Sequence, residues 1–192
     1  MQPFDQLSLT TARLRLRPLA PADADALYRM HADPRVMRYW STPPWADPHL
    51  AEELIKVDAD ALRLGQHLRL ALTRRDGTDS DGAFIGTCSL FNFVEPSRRA
   101  EIGYAQVAAA WGQGFMHEAL SALVAYAFGE LNLHRIEADI DPRNTASAKS
   151  LVRLGFVEEG HLRERWIVAG EVSDTALFGL LRRDWQASVA RP

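Results

Sequence analysis

The sequence has little of what marks secreted, membrane-spanning or nucleic-acid-binding proteins. It contains one cysteine, Cys88, so no disulfide can form within the chain, which is typical of a protein in a reducing compartment. Its 22 basic and 25 acidic residues give a net charge of −3, which leaves no broad basic surface for DNA or RNA. The longest apolar runs, such as residues 123–128, are far shorter than the ~20 residues that span a bilayer.

The sequence also lacks the signs of targeting and of several domains. Residues 1–5 do not begin the basic, apolar and small-residue pattern of a signal peptide. A hydrophobic content of 47% with 24% charged residues is ordinary for a soluble protein, and 192 residues suit one core better than two. We therefore predict a cytoplasmic protein with a single domain over residues 1–192 and a frayed tail over residues 187–192.

Hydrophobic periodicity predicts a chain that mixes strands and helices. Residues 133–140 alternate clearly, which places His134 on the face of Ile136 and Ala138 and predicts a buried histidine there. Strands come first and then alternate with helices, an order that indicates an α/β protein with a mixed sheet. The predicted strands are 13–17, 68–73, 83–93, 100–107, 133–140, 156–157, 163–169 and 174–181, the predicted helices are 21–31, 48–64, 115–128 and 144–154, and a polar turn is predicted at 76–82.

Two glycines open the most informative segment, residues 111–120. Gly112 and Gly114 follow a predicted strand and come just before an amphipathic helix. The first N–H groups of a helix have no partner within it, and the helix dipole adds partial positive charge there. Glycine lets a phosphate approach these N–H groups closely. The segment therefore predicts a pyrophosphate site; a turn followed by a plain helix start is the other interpretation.

Other phosphate and metal motifs do not fit this segment. The dinucleotide fingerprint needs a third glycine where this chain has His117, and it belongs near the first strand rather than after four predicted strands. A P-loop is absent, because no Gly-Lys-Ser/Thr follows the glycines. A zinc-protease helix would carry a second histidine where Ser121 stands. None of the six histidines has the spacing of a metal-ligand set, so no metal is predicted.

Short motifs follow one another in order over nearly the whole chain. They are Thr11-Ala12-Arg13-Leu14-Arg15-Leu16-Arg17-Pro18-Leu19, Asp33-Pro34-Arg35-Val36-Met37, Ile85-Gly86-Thr87, Glu101-Ile102-Gly103-Tyr104, Trp111-Gly112-Gln113-Gly114-Phe115, Leu133-His134-Arg135-Ile136-Glu137-Ala138, Asn144-Thr145-Ala146-Ser147, Leu154-Gly155-Phe156 and Glu159-Gly160. At these spacings the set resembles the GNAT acetyltransferase superfamily, and within it the RimJ/RimL-like branch of ribosomal-protein N-terminal acetyltransferases. One position departs from the pattern, since many members carry Gln or Arg where this chain has Ala109.

The resemblance implies a fold, a ligand and its position. The fold would be a single α/β domain with a mixed, mostly antiparallel sheet, splayed between its fourth and fifth strands and flanked by helices. Acetyl-CoA would lie in the gap as cosubstrate, without a metal. Its pantetheine arm would pair with the backbone of residues 104–107, its pyrophosphate would meet the amides of residues 112–116, and Asn144 would lie beside the thioester. By residue, the implied cofactor set is Tyr104, Ala105, Gln106, Val107, Gly112, Gln113, Gly114, Phe115, Met116 and Asn144.

Two residues are candidates for catalysis. Glu101 lies on a predicted strand face with Gly103 and Ala105, whose small side chains leave room for a substrate. In the superfamily an acidic residue on this strand often acts as general base through water; a solvated charge is the other interpretation. The resemblance implies that Ser147 donates a proton or a hydrogen bond to the departing thiolate, whereas helix capping by Asn144 explains the same pattern without catalysis.

The acceptor amine is open between two classes. The branch implies the N-terminal α-amine of a protein, of which on the order of a tenth is neutral at pH 7 because its pKa is about 7.7–8.0. Small amines such as amino acids, aminoacyl nucleotides or antibiotics are the alternative, and a non-catalytic acyl-CoA-binding module is a third interpretation. Trp40, Trp45 and Trp166 are candidates for the wall of an acceptor pocket. The predicted partners are acetyl-CoA and an amine, with no nucleic acid or membrane, and the chain is compatible with a monomer or a homodimer.

Overall fold

Within the described residues, eight strands form one sheet, with six α-helices around it. The computed structural model describes residues 3–75 and 82–189, so the polar turn predicted at 76–82 lies almost wholly outside the described residues. Along the sheet the order is β1-β2-β3-β4-β5-β6-β8-β7. The strands are β1 (Leu9–Thr10), β2 (Leu14–Pro18), β3 (Leu68–Arg74), β4 (Phe84–Val94), β5 (Arg99–Gln106), β6 (Arg135–Ile140), β7 (Val157–Val168) and β8 (Glu171–Leu181). The helices are α1 (Ala24–Ala32), α2 (Pro34–Met37), α3 (His49–Arg63), α4 (Phe115–Gly129), α5 (Thr145–Arg153) and α6 (Arg182–Val189).

The sheet opens between β5 and β6. All neighbouring strands pair antiparallel except these two, which run parallel. Their pairing joins residues 99–101 to residues 135–137 and goes no further. Residues 102–106 are thus paired with β4 on one side and, within the described residues, with no strand on the other. This confirms the predicted opening: the two-residue β1 was not predicted, so the fourth and fifth predicted strands are β5 and β6.

Two apolar layers cover the faces of the sheet. In the larger layer α4 packs on one face, with Leu123 and Phe128 fully buried. In the smaller layer α1 and α3 cover the other face, with Leu27 fully buried. Successive side chains of a strand point to opposite faces, so on β3 Leu70 joins the larger layer and Ala71 the smaller. None of the helices in the described residues is both long and apolar enough to cross a membrane.

Gly86 allows β4 and β5 to approach at the rim of the opening. A Cβ there would lie 2.3 Å from the carbonyl oxygen of Ala105, which cannot move unless β5 shifts. Gly86→Ala is therefore expected to lower the free energy of unfolding by about 2–3 kcal/mol in urea denaturation, as overpacking does. Gly129→Ala is the control, since a Cβ there meets nothing within 4 Å and alanine favours helix. If both variants were equally stable, the expectation would be contradicted.

Two predictions of local structure are corrected. His134 is exposed rather than buried, because β6 begins one residue later and the histidine lies beyond the covered part of the sheet. The strand β7 is continuous rather than interrupted at residues 158–162. It lies at the edge of the sheet and pairs with β8 through two irregularities, so its exposed side chains follow no regular alternation. At the C-terminus, residues 187–189 belong to α6, and residues 190–192 lie outside the described part.

Candidate active site

The loop before α4 carries a row of free backbone donors. Gly112 and Gly114 have positive φ values of 72° and 77°, which glycine adopts without strain. The helix begins directly afterwards, at Phe115. Within the described residues, none of the amide N–H groups of residues 112–117 donates a hydrogen bond to the protein. Consecutive free N–H groups beside glycines at a helix start are the donors that a phosphate accepts from.

The side chains of this glycine loop are engaged elsewhere. Phe115 is buried in the larger apolar layer, and Gln113 Nε2 donates to a backbone carbonyl within the loop at 2.9 Å. Trp111 Nε1 donates to the carbonyl of Gln106 at 2.9 Å and so ties the loop to the end of β5. Met116 is buried and lines the cavity beside the loop. A ligand at the loop would therefore be held mainly by backbone groups.

Two cavities meet at the opening of the sheet. The first, called here the loop cavity, has a volume of about 540 Å³ and lies between the glycine loop, the end of β5, the start of α5, and α2 with the residues that follow it, including Arg35 and Arg38. The second, called here the sheet cavity, has a volume of about 550 Å³ and is lined by residues of β3, β4, β5, β6, β7 and β8. Both have the size of a ligand site. The residues that line both cavities, called here the junction, are Tyr39, Trp40, Tyr104, Asn144 and Ser147.

The junction contains two hydrogen-bonded hydroxyl groups. Tyr104 Oη on β5 lies 2.7 Å from Ser147 Oγ on α5. The amide N–H of Ser147 donates to Asn144 Oδ1 at 3.1 Å, so Asn144 is the N-cap of α5. Burial raises the pKa of Tyr104 to about 12, so its hydroxyl keeps its proton at neutral pH. The pair can donate a hydrogen bond to a group that gains negative charge at the junction.

Glu101 lines the sheet cavity from β5, together with Gly103. Its Oε1 accepts a hydrogen bond from Asn92 Nδ2 at 3.1 Å, and among the described residues no cationic side chain forms an ion pair with it. Asn92 has a φ of 50°, a left-handed conformation that asparagine tolerates. Ala105, predicted on the same face, does not line this cavity but packs in the smaller apolar layer. Glu101 is therefore an oriented carboxylate that forms no ion pair within the part of the chain that the structure describes.

The other charged groups that line the sheet cavity have partners of opposite sign. Glu101 thus carries the net charge of the cavity. Within the described residues, no group of three or more histidines, cysteines and carboxylates is arranged to hold a metal ion. The charge pairs are Asp139–Arg165, at 3.9 Å, Asp141–Arg143, joined by several hydrogen bonds, and Arg69–Asp58, at 2.9 Å.

Two of the three predicted tryptophans line the sheet cavity. Trp40 lines both cavities, and Trp166 lines the sheet cavity from β7. Trp45 lines neither: its ring stacks on His31 with 4.2 Å between centroids. Since His31 lines the sheet cavity, Trp45 supports the wall from behind.

His67 in the wall of the sheet cavity gives stability a pH dependence. Burial, with the positive charge of Arg69, lowers the pKa of His67 to about 4. The unfolded chain binds a proton below pH ~6.5 that the folded chain does not, so stability is full above that pH and falls as the pH drops. At pH 5 the wild type is expected to lose at most about 2 kcal/mol more than His67→Phe, relative to pH 7.5, in urea denaturation. Parallel pH profiles for the two proteins would contradict this.

Sequence reasoning missed three side chains of the site. It assigned Tyr104 to the cofactor through its backbone, whereas the hydroxyl lies at the junction. Tyr39 also lines the site, and the one signal for it in the sequence was its position next to Trp40 in an aromatic loop. The contact of Asn92 with Glu101 had no signal, since the two residues lie on different strands.

The sequence and the fold match known acetyltransferases. Residues 13–157 match the family described as acetyltransferase (GNAT) domain. The uncharacterised N-acetyltransferase p20 of Bacillus licheniformis is 39% identical over 179 residues, which cover 93% of this chain and 98% of that protein. The [ribosomal protein uS5]-alanine N-acetyltransferase of Escherichia coli is 28% identical, over 94% of this chain and 93% of that protein. The crystal structure of spermidine N-acetyltransferase from Vibrio cholerae in complex with CoA and spermine has a TM-score of 0.80 at 24% identity, covering 92% of this chain and 99% of that chain.

The family match includes the parts that form the site. The glycine loop, the free edge of β5 and the start of α5 all lie within residues 13–157. The names of these relatives agree in N-acetyl transfer. The two names that give an acceptor differ in it: one gives an alanine of a ribosomal protein and the other gives spermidine. The chain therefore belongs to the GNAT acetyltransferase family and is an acetyl-CoA-dependent N-acetyltransferase.

Proposed function

We propose that this enzyme acetylates the N-terminal α-amine of a protein, as the RimJ/RimL-like branch does. One observation carries the proposal: the loop cavity and the sheet cavity meet at Tyr104 and Ser147. A thioester that reaches the junction from the loop cavity would face an amine held in the sheet cavity. Trp40 and Trp166 are proposed as walls on the acceptor side.

The loop cavity has the chemistry that CoA requires. The free N–H groups of residues 112–116 suit a pyrophosphate. The free edge of β5 over residues 102–106 offers N–H and C=O groups to the amides of a pantetheine arm. When bound, acetyl-CoA supplies an acetyl group that is already activated as a thioester, so the proposed step has no metal.

Glu101 is proposed to take the proton that the amine loses. Its carboxylate lines the acceptor side, and the hydrogen bond from Asn92 orients it. An α-amine has a pKa of about 7.7–8.0, so a base that acts directly or through one water is sufficient at neutral pH.

Tyr104 and Ser147 are proposed to donate a hydrogen bond to the sulfur that leaves. A free thiol has a pKa of about 8.5, so the departing thiolate gains from a donor without depending wholly on it. Free N–H groups on the edge of β5 are proposed to stabilise the charge that develops on the acetyl oxygen.

The charge of the sheet cavity supports an acceptor with one amine. Only Glu101 among its charged groups has no partner of opposite sign in the described residues, which suits one positive charge better than the several of a polyamine. The Escherichia coli relative, named for a ribosomal-protein alanine, is in line with a protein acceptor. A small amine is the second candidate, because a cavity of about 550 Å³ can enclose one.

An acceptor panel tests the proposal. Peptides that begin with Ala or Ser, the same peptides with a blocked N-terminus, spermidine and free amino acids are each mixed with enzyme and acetyl-CoA, and thiol release is followed. We expect release with the free peptides and none with the blocked ones. Faster turnover of spermidine or amino acids would favour the small-amine candidate. If calorimetry detects CoA binding but no amine causes thiol release, the protein is a non-catalytic CoA-binding module. If millimolar CoA produces no heat of binding, the proposed placement of the cofactor is overturned.

A further inference from the structure

The segment before β2, which has no part in the proposed chemistry, contacts the glycine loop. Arg13 lies 100 positions before Gln113 in the sequence, yet its Nη1 donates to the Gln113 carbonyl at 2.9 Å. Its guanidinium carbon lies 4.5 Å from the centroid of the Phe115 ring. Arg13 does not line the loop cavity, whereas Gly112 does. Arg13 therefore holds the loop from outside the cavity.

Glu118, in the first turn of α4, fixes the direction of the Arg13 side chain. Its Oε2 accepts from Arg13 Nε at 2.6 Å, and its Oε1 accepts from the Arg13 amide N–H at 2.8 Å. The same Oε1 accepts from the hydroxyl of Thr11 at 2.6 Å. The charges of Arg13 and Glu118 cancel locally, so the pair acts on the loop through geometry more than through net charge.

The bond to Gln113 decides which way one peptide plane of the loop faces. In a trans peptide the C=O and N–H groups point in opposite directions. When the Gln113 carbonyl is held toward Arg13, the N–H of Gly114 is therefore held away from it. Glycine residues rotate their peptide planes at little steric cost, so an untethered loop would lose this freedom only on binding, at the expense of affinity.

We propose that Arg13 is a positioning residue for acetyl-CoA, which preorganises the amide donors of residues 112–116 through the Gln113 carbonyl. The inference rests on the proposed placement of CoA in the loop cavity. Arg13 touches neither the ligand nor the reacting atoms in this arrangement, so it acts on the affinity for acetyl-CoA and leaves the chemical step unchanged.

Arg13→Met tests this, because it keeps an unbranched apolar stem and removes the donors. We expect the Kd for CoA and the KM for acetyl-CoA to rise about tenfold, with kcat within about twofold of the wild type. Arg13→Met leaves the charge of Glu118 unpaired, so salt should reduce part of the rise by screening this charge. The part that comes from the lost bond to Gln113 should persist at high salt, whereas a loss due only to a direct contact with phosphate would disappear there. Arg13→Lys keeps one donor and should recover part of the affinity.

Arg75→Met is the matched control. Arg75 Nη1 donates to the carbonyl of Thr11 at 2.8 Å, in the same turn, and none of its bonds in the described residues reaches the glycine loop. The affinity of Arg75→Met for CoA should equal that of the wild type. Thermal unfolding of every variant without ligand checks that each one is folded.

The proposal is overturned by wild-type affinity in Arg13→Met, by the same loss in Arg75→Met, by a fall in kcat at unchanged KM, or by a loss that disappears at high salt. A wild type that binds no CoA would overturn the proposed function itself, and it would be seen before any variant is compared.

Discussion

Glu101→Gln is expected to lower kcat/KM for the acceptor about 100-fold at pH 7, the size of effect that a positioned general base has. Glutamine keeps the shape of the side chain and can still contact Asn92, so the change removes mainly the ability to take a proton. Initial rates of thiol release at saturating acetyl-CoA measure the effect.

The deficit should shrink as the pH rises. Below pH ~8 most of an α-amine is protonated and must lose its proton, whereas above that pH the amine is already neutral and the base becomes dispensable. Glu137→Gln is the control. Glu137 lies beside Glu101 in the register of β5 and β6, but its carboxylate is bound by Arg99 and Arg135 and it does not line the sheet cavity. Unchanged turnover of Glu101→Gln over pH 6–9 would remove Glu101 as the base.

Tyr104→Phe is expected to lower kcat about 50- to 100-fold, because it removes the hydroxyl proposed to donate a preorganised hydrogen bond to the leaving sulfur. The pKa of Tyr104 is raised to about 12 by burial, so the hydroxyl stays protonated over pH 6–9 and the loss should be equal at every pH in that range. This flat profile distinguishes it from Glu101→Gln. Steady-state rates across this range measure both.

A double-mutant cycle with Ser147→Ala shows whether the two hydroxyls act as a unit. They lie 2.7 Å apart, so we expect the double variant to be about as slow as the slower single variant. Fully additive losses would show that the two groups act separately. Tyr28→Phe, outside both cavities, is the control for removal of a tyrosine hydroxyl. If Tyr104→Phe kept the wild-type kcat, Tyr104 would not be the donor to the leaving sulfur.

Two predictions from local patterns were wrong because the sequence does not show which side chains other parts of the fold cover. The alternation predicted that His134 would lie on the same face as Ile136 and Ala138. It did not predict that β6 begins only after His134, at Arg135. The same limit applies to the tryptophans. Trp40 and Trp45 are five positions apart in one proline-rich loop, yet only Trp40 lines a cavity, since Trp45 stacks on His31.

By itself the sequence determined most of the elements, the order of the family's motifs and the glycine loop, but not β1, the continuity of β7 or α6. These depend on neighbours along the chain: Gly112 and Gly114 take positive φ values because they lack a Cβ, and the apolar repeat that follows them specifies a helix that must bury one face.

Only the tertiary structure decided which side chains meet. Tyr104 finds Ser147 43 positions further along the chain, because the pairing of β5 with β6 stops early and the start of α5 lies at the opening. Arg13 reaches Gln113 across 100 positions, because the turn before β2 lies against the first turn of α4. Contacts of this kind depend on how helices pack on the sheet and on where strand pairing ends, and the residues next to one another in the chain do not specify either.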